Sequence, residues 1–177
     1  FMPAMIEEWP ARLAEKAAVS AGARVLDVAC GTGAWALCAA DRVGRDGHVV
    51  GLDINTDMLA AARKKQPGPT AAAIDWREAS VDAIPFADAS FDIVCCQLGL
   101  MFFPDQVAAL REMRRVLVPG GRMVAMVWGR MEQCPTQMAV APAWARQFGT
   151  EEAPGFHNQH SLADLTKMHE LVTAAAH

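Results

Sequence analysis

Between Arg24 and Val127 five short apolar runs alternate with helical stretches of about ten residues, and few folds accommodate that alternation. The runs are Arg24 to Val28, His48 to Leu52, a weaker Ile74 to Ala79, Phe91 to Cys96, and Arg122 to Val127, the last introduced by the turn Pro119-Gly120-Gly121. Between them the spacing predicts helices over Ala34 to Val43, Asp57 to Lys65 and Asp105 to Val116. Asn55 or Thr56 can cap the second, and Pro67-Gly68-Pro69 stops it. A strand that returns to its sheet through a helix pairs in parallel with its predecessor. The expected fold is α/β, a doubly wound, mainly parallel open sheet. Ligands of such sheets bind beyond the carboxyl ends of the strands, where strand order reverses. The loops after strands one, two and four are therefore where chemistry belongs.

The ends of the chain read differently. Met5, Trp9, Leu13, Ala17 and Ala18 follow helical spacing, giving a first helix that stops before Ala21-Gly22. Past Met131, Thr136 to Gln147 reads as a helix, Glu151 to Gln159 as a polar loop, and Ser161-Leu-Ala-Asp164 as a capping box before a last helix. No strand is legible after Val127. The expected organisation is one domain over residues 1–177: an N-terminal helix (1–22), a cofactor-binding core (23–130) and a helical C-terminal part (131–177). A start on Phe rather than Met and the alanine-rich end Ala174-Ala175-Ala176 suggest a chain shortened at its termini.

Composition narrows the function classes. A chain of 177 residues that is 53% hydrophobic can bury one sizeable core. Its 16 basic and 20 acidic side chains sum to −4, which supplies no field for a phosphate backbone, so nucleic acid is not an expected partner. The basic runs Arg63-Lys64-Lys65 and Arg114-Arg115 fall at helix ends, where cations offset the terminal dipole. Cys30, Cys38, Cys95, Cys96 and Cys134 are odd in number and contain no Cys-x-x-Cys pair, which fits a reducing cytoplasm. His157 and His160 lack further ligands at metal spacing and read as a solvated loop, so no metal is expected. No apolar run approaches the ~20 residues that span a bilayer, and Phe1 to Trp9 lacks the basic start of a signal peptide.

The glycine turn Gly31-Thr-Gly33 follows a strand and opens a helix, so backbone N–H groups can face a ligand at close range. Gly31-Thr-Gly-Ala-Trp-Ala36 also matches the dinucleotide pattern G-x-G-x-x-A, with Asp53 about 20 residues on. Asp27 separates the two cofactors. A carboxylate four residues before Gly31 repels a pyrophosphate but suits S-adenosylmethionine (SAM), which brings an ammonium and a sulfonium. Asp53 closes the strand Val49-Val-Gly-Leu-Asp53, where a carboxylate can accept both hydroxyls of a ribose; capping the next helix is its alternative role, for which Asn55 and Thr56 are better placed.

Four ordered pieces carry a family resemblance: Val25-Leu-Asp-Val-Ala-Cys-Gly-Thr-Gly33, Val50-Gly-Leu-Asp53, Ile84-Pro-Phe-Ala-Asp-Ala-Ser-Phe-Asp92, and Leu110-Arg-Glu-Met-Arg-Arg-Val-Leu-Val-Pro-Gly-Gly121. Together they resemble class I SAM-dependent methyltransferases, particularly the small-molecule branch that includes ubiquinone and menaquinone biosynthesis methyltransferases. The resemblance implies a Rossmann-like methyltransferase fold, SAM as cofactor and a small organic acceptor attacking through carbon, oxygen or nitrogen. It implies adenine contacts at Ile54, Ser80 and Val81, and places Gln97 at the methionine end or the acceptor. The cofactor-binding set it implies is Asp27, Ala29, Gly31, Thr32, Gly33, Asp53, Ile54, Ser80, Val81 and Gln97, with no catalytic residue assigned. Leu98, Met101, Phe102 and Phe103 are candidates for an apolar acceptor wall or for packing. Where the family often carries an acidic residue and Ala before the x-x-x-Pro-Phe segment, this chain has Ser80-Val81-Asp82.

Family members usually finish the sheet with an antiparallel hairpin. Its absence after Val127 implies missing or substituted strands, or a partner that covers the edge; a homodimer is left open. Two other functions compete. An NAD(P)-dependent oxidoreductase would use the same glycine turn but commonly a catalytic tyrosine, and the chain has none. A catalytically silent methyltransferase-like binding domain would tolerate loss of Asp27, Gly31, Gly33 or Asp53, and all four are present.

Overall fold

The computed structural model describes residues 3–134 and 160–176, with Met138 and Arg146 between them. Its elements are α1 (Pro3–Lys16), β1 (Arg24–Val28), α2 (Ala34–Val43), β2 (His48–Asp53), α3 (Thr56–Arg63), β3 (Ile74–Glu78), β4 (Phe91–Gln97), α4 (Gln106–Arg115), β5 (Leu117–Met126) and α5 (Leu165–Ala176). The strands form a single sheet in the order β3-β2-β1-β4-β5, every neighbouring pair parallel. The doubly wound α/β architecture is thus as expected. Chain order reverses between β1 and β4, so the carboxyl ends of these two strands flank the crevice.

The alternation of each strand assigns two faces. Val25, Val49, Ile93 and Cys95 point to one side, where Leu13 and Ala14 of α1, Ala17 just beyond it, and Trp35, Ala36 and Ala39 of α2 cover them. Leu26, Val28, Val50, Leu52, Val94 and Cys96 point to the other, against Ala109, Leu110 and Met113 of α4 and Ala175 of α5. Apart from Asp27 and Asp53, the buried side chains of β1, β2 and β4 are apolar in both directions because a parallel sheet is roofed on both faces.

Local chemistry starts α3, α4 and α5. Asn55 caps α3, its Oδ1 accepting from Asp57 N (3.0 Å) and Met58 N (3.1 Å). Asp105 caps α4 by accepting from Ala108 N at 2.9 Å, so it precedes the helix rather than beginning it. Three expectations are corrected. β5 starts at Leu117, not Arg122; the Pro119-Gly120-Gly121 turn lies inside its span as a bulge, with Phe91 opposite Leu117 but Ile93 opposite Arg122. Asp164 rather than Ser161 caps the last helix, accepting from Thr166 N at 2.8 Å, because α5 begins one turn later than a Ser161 cap requires. The basic runs bond specific carbonyls besides offsetting their own helix dipoles: Arg63 donates to Trp76 O, Lys65 to Thr32 O, and Arg114 to Ala175 O and Ala176 O at the end of α5. The expectations for residues 136–147 and 151–159 lie outside the described residues.

Arg115 and Glu112 explain why the Ile84-Pro-Phe and Leu110–Gly121 pieces travel together. Glu112 Oε2 accepts from Ile84 N (3.1 Å), while Arg115 donates to Ile84 O (2.9 Å), Phe86 O (2.9 Å), Asp88 (2.8 Å) and Glu112 (2.7 Å). One guanidinium therefore pins the β3–β4 connection to α4. The side chain is only 31% exposed, so its two carbonyl bonds are partly shielded from competing water. Arg115→Met should lower the midpoint of urea unfolding by an amount equivalent to about 2 kcal/mol with an unchanged slope; a loss below about 0.5 kcal/mol would show that water replaces these bonds without cost.

Candidate cofactor and active site

A cleft of about 520 Å³ opens at the carboxyl ends of β1, β2 and β4, lined among others by Asp27, Ala29, Gly31, Thr32, Trp35, Asp53 and Gln97. A second lobe of about 270 Å³ holds Ile54, Ser80, Val81 and Asp82, and shares Ala29, Asp53, Gly99 and Phe102 with the first. Nine of the ten cofactor-binding positions expected from the sequence lie on one or other lobe. Gly33 does not.

The two glycines of the turn do different jobs. Gly31 has φ +54 and faces open space, so its bare Cα leaves room for a ligand. Gly33 has φ +78, and a Cβ there would meet the ring of Trp76 and, at 3.3 Å, Ala62. Its bareness serves the packing of α2 against β3 and α3. Gly33 also ends the turn as the N-cap of α2 without any side-chain hydrogen bond, so first-turn N–H groups of α2 are left for other partners. One of them, Ala36 N, donates to Asp27 Oδ2 at 3.0 Å.

Asp27 is 1% exposed, and its Oδ1 has no partner among the described residues. Burial pushes its carboxyl up to about 8, against the lowering effect of the Ala36 N–H and with a further rise from the Asp53 charge. Asp53 accepts from Gly31 N (2.7 Å) and from Asn55 N (2.8 Å), tying the end of β2 to the glycine turn. Its carboxylate thus locks the loop as well as facing the cleft; the cap of α3 is Asn55, as expected. Burial, and next the Asp27 charge, push the Cys30 thiol up, so no thiolate nucleophile lies in the cleft.

Some features escaped sequence reasoning. Trp35 and Met58 line the cleft, each one or two residues into a helix that follows a glycine turn or an Asn cap. That placement was the available signal. The Ser80 hydroxyl bonds Asp82, donating to Oδ2 (3.1 Å) and accepting from Asp82 N (3.3 Å), and the second lobe carries the Asp82 carboxylate besides that of Asp53. His160 Nδ1 is 2.6 Å from Gly129 O and its ring tilts onto Trp128, not into a solvated loop; His157 lies outside the described residues. Among the described residues no group of three or more potential ligands could hold a metal, and no helix is long and apolar enough to cross a membrane.

This fold with this cleft defines a class I SAM-dependent methyltransferase. A putative methyltransferase from Bacillus halodurans superposes over 95% of the chain and 68% of its own length, with TM-score 0.70 and 24% identity, a likeness of fold. An S-adenosylmethionine dependent methyltransferase from Mesorhizobium loti is 31% identical, with TM-score 0.56 over 67% of this chain and 52% of its own. Residues 4–149 match the model of the ubiE/COQ5 methyltransferase family, and the chain belongs to that family. A demethylmenaquinone methyltransferase of Bacillus velezensis is 31% identical over 93% of this chain and 74% of its own length. That of Listeria welshimeri is 36% identical over 73% of this chain, which covers about half (52%) of the relative.

The residues present fit SAM. The orphaned Asp27 Oδ1 suits a cation, the uncapped start of α2 suits a carboxylate, and Asp53 closes β2 beside Gly31. The pH dependence follows with its sign. Unfolded, Asp27 loses its proton near pH ~4; folded and ligand-free, it keeps it to about 8. Between these values the folded state binds more protons, so stability contributed at this site falls as pH rises. Asp27→Asn should therefore widen its stability advantage over the wild type between pH 5 and pH 8.5, measured by urea unfolding without cofactor; a pH-independent gap would mean that Asp27 ionises freely.

Proposed function

We propose that the chain binds SAM across both lobes of the cleft and transfers its methyl group to a ring carbon of a quinol-type acceptor. The observation that carries the reading is the pair Asp27 and Asp53 on adjacent strands, one carboxyl buried with an unpartnered oxygen, the other at the strand end. In this reading Asp27 accepts from the ammonium, the α2 N–H groups and the Gly31–Thr32 backbone meet the cofactor carboxylate, and Asp53 takes the ribose hydroxyls. Ile54, 71% exposed in the second lobe, offers a face to the adenine, with Val81 N–H and the Asp82 carboxylate at its edge. The acidic acceptor that the sequence pattern displaces by two positions is thereby restored in space.

The acceptor class comes from the relatives, whose names specify demethylmenaquinone. SAM supplies an electrophilic methyl group with a neutral thioether as leaving group. Transfer forms a carbon–carbon bond to the ring and breaks the sulfur–methyl bond, whose electron pair stays on sulfur; the ring carbon then loses its proton. The residues of the cleft orient and desolvate the partners, and the chemistry calls for no covalent nucleophile from the protein. The relatives offer no support for an NAD(P)-dependent oxidoreductase.

Isothermal titration should show SAM binding and no comparable NAD binding. Asp53→Ala should weaken SAM binding about 10-fold or more, since two hydroxyls lose a charged acceptor. Tight NAD binding without SAM binding would overturn the reading, and SAM binding without methyl transfer to any quinol would favour a silent binding domain.

A further inference from the structure

Two buried polar atoms in the cleft are left over once the cofactor is provided for. The indole Nε1–H of Trp35, a residue 1% exposed, and the amide Oε1 of Gln97 each lack a hydrogen-bond partner among the described residues, and both residues line the larger lobe. Buried polar groups of this kind are rare unless something else satisfies them. SAM's charged and hydroxyl groups already have better complements: a carboxylate at Asp27, a carboxylate at Asp53 and backbone N–H groups at the start of α2. What remains is one neutral donor and one neutral acceptor.

The sheet puts the two on the same side. In the parallel register Asp27 lies beside Cys95 and Gln97 beside Met126, and strand alternation gives Ile93, Cys95 and Gln97 one face. Trp35 packs on that face with Val25, Ile93 and Cys95. Two residues beyond Met126, Trp128 meets Trp9 of α1 edge to face, ring centroids 5.2 Å apart, so α1 closes over this end of the sheet. Leu98 and the 56%-exposed Phe102 border the lobe with apolar surface.

We infer that Trp35 and Gln97 form the acceptor subsite, selecting a flat apolar ring that carries two oxygens: a hydroxyl that donates to Gln97 Oε1, and an oxygen that accepts from Trp35 Nε1. A ring hydroxyl that has lost its proton makes the neighbouring carbon nucleophilic, and an N–H donor such as the Trp35 indole stabilises an oxyanion of this kind. The ionised hydroxyl's proton goes to solvent, and the transfer itself balances as given above. The inference rests on the proposed methyl transfer to a quinol and adds the residues that recognise it.

The test uses 1,4-naphthohydroquinone under anaerobic conditions with Trp35→Phe, which keeps the ring, and Gln97→Met, which keeps the bulk. Trp35→Phe should hold SAM affinity within about threefold, and in both variants kcat/KM for the hydroquinone should fall about 30-fold, more than any loss of SAM affinity, because a buried partner is left unpaired. Binding of 1,4-dimethoxynaphthalene, which has no hydroxyl to donate, should be insensitive to Gln97→Met. Wild-type kcat/KM in both variants would overturn the subsite, as would a loss of SAM affinity equal to the loss for the hydroquinone. If the wild type binds SAM but transfers no methyl group to this ring, the quinol reading fails. Titration of the hydroquinone into wild type and variants loaded with S-adenosylhomocysteine still decides the subsite, equal affinities overturning it.

Discussion

Everything chemical in this chain depends on the reversal of strand order between β1 and β4. Connections from β1 run outward through α2 to β2 and β3, and those from β4 run the other way through α4 to β5, so no crossover covers the carboxyl ends of the central pair. A crevice there is a topological consequence. It needs no side chain to create it, and the residues at the strand ends only decide what it holds. Asp27, Asp53 and Gln97 are the polar residues at or near those ends, and all three line one lobe.

A carboxyl buried as completely as Asp27 is costly to ionise, and among the described residues it accepts one hydrogen bond, from Ala36. A second donor would have stabilised the ligand-free fold. Asp27 Oδ1 is left without a partner among the described residues, an arrangement that binding sites commonly hold at the expense of stability. Around it the loop is held without slack: Asp53 takes Gly31 N, and Lys65 reaches from beyond α3 to Thr32 O (2.8 Å) and Thr32 Oγ1 (3.1 Å). The turn is ordered before any cofactor arrives, which spares binding that conformational cost.

The helices and strands were legible because each signal is local: a β-branched run between glycines, an Asn cap before Thr56, a proline cluster after Lys65. What the sequence concealed depends on residues far apart. Gly31 and Gly33 read alike in the sequence, whereas the ring that a Cβ on Gly33 would meet belongs to Trp76, a residue of β3. Arg115 read as a cation for its own helix dipole, and its partners at Ile84, Phe86 and Asp88 are distant in sequence. The bulge at Pro119-Gly120-Gly121 hid the start of β5, since a turn-like sequence reads as a break when it is an excursion within a strand.

The glycine turn itself cannot discriminate a dinucleotide from SAM, because half of its pattern answers to packing. Charge discriminates, and it does so in a way that constrains which cation Asp27 can serve. Methyl transfer removes the sulfonium charge while the ammonium keeps its own. A carboxylate devoted to the sulfonium would stabilise the reactant more than the transition state, in which that charge is already fading, and would slow the step. A carboxylate devoted to the ammonium binds reactant and product alike, leaving the barrier untouched. Asp27 is held from behind by Ala36 N, at the same helix end that suits the cofactor carboxylate, and an ammonium sits beside its own carboxylate on one carbon. In the proposed reading the uniform interaction is therefore the one this geometry favours, and discrimination of the transition state would fall to neutral groups elsewhere in the cleft.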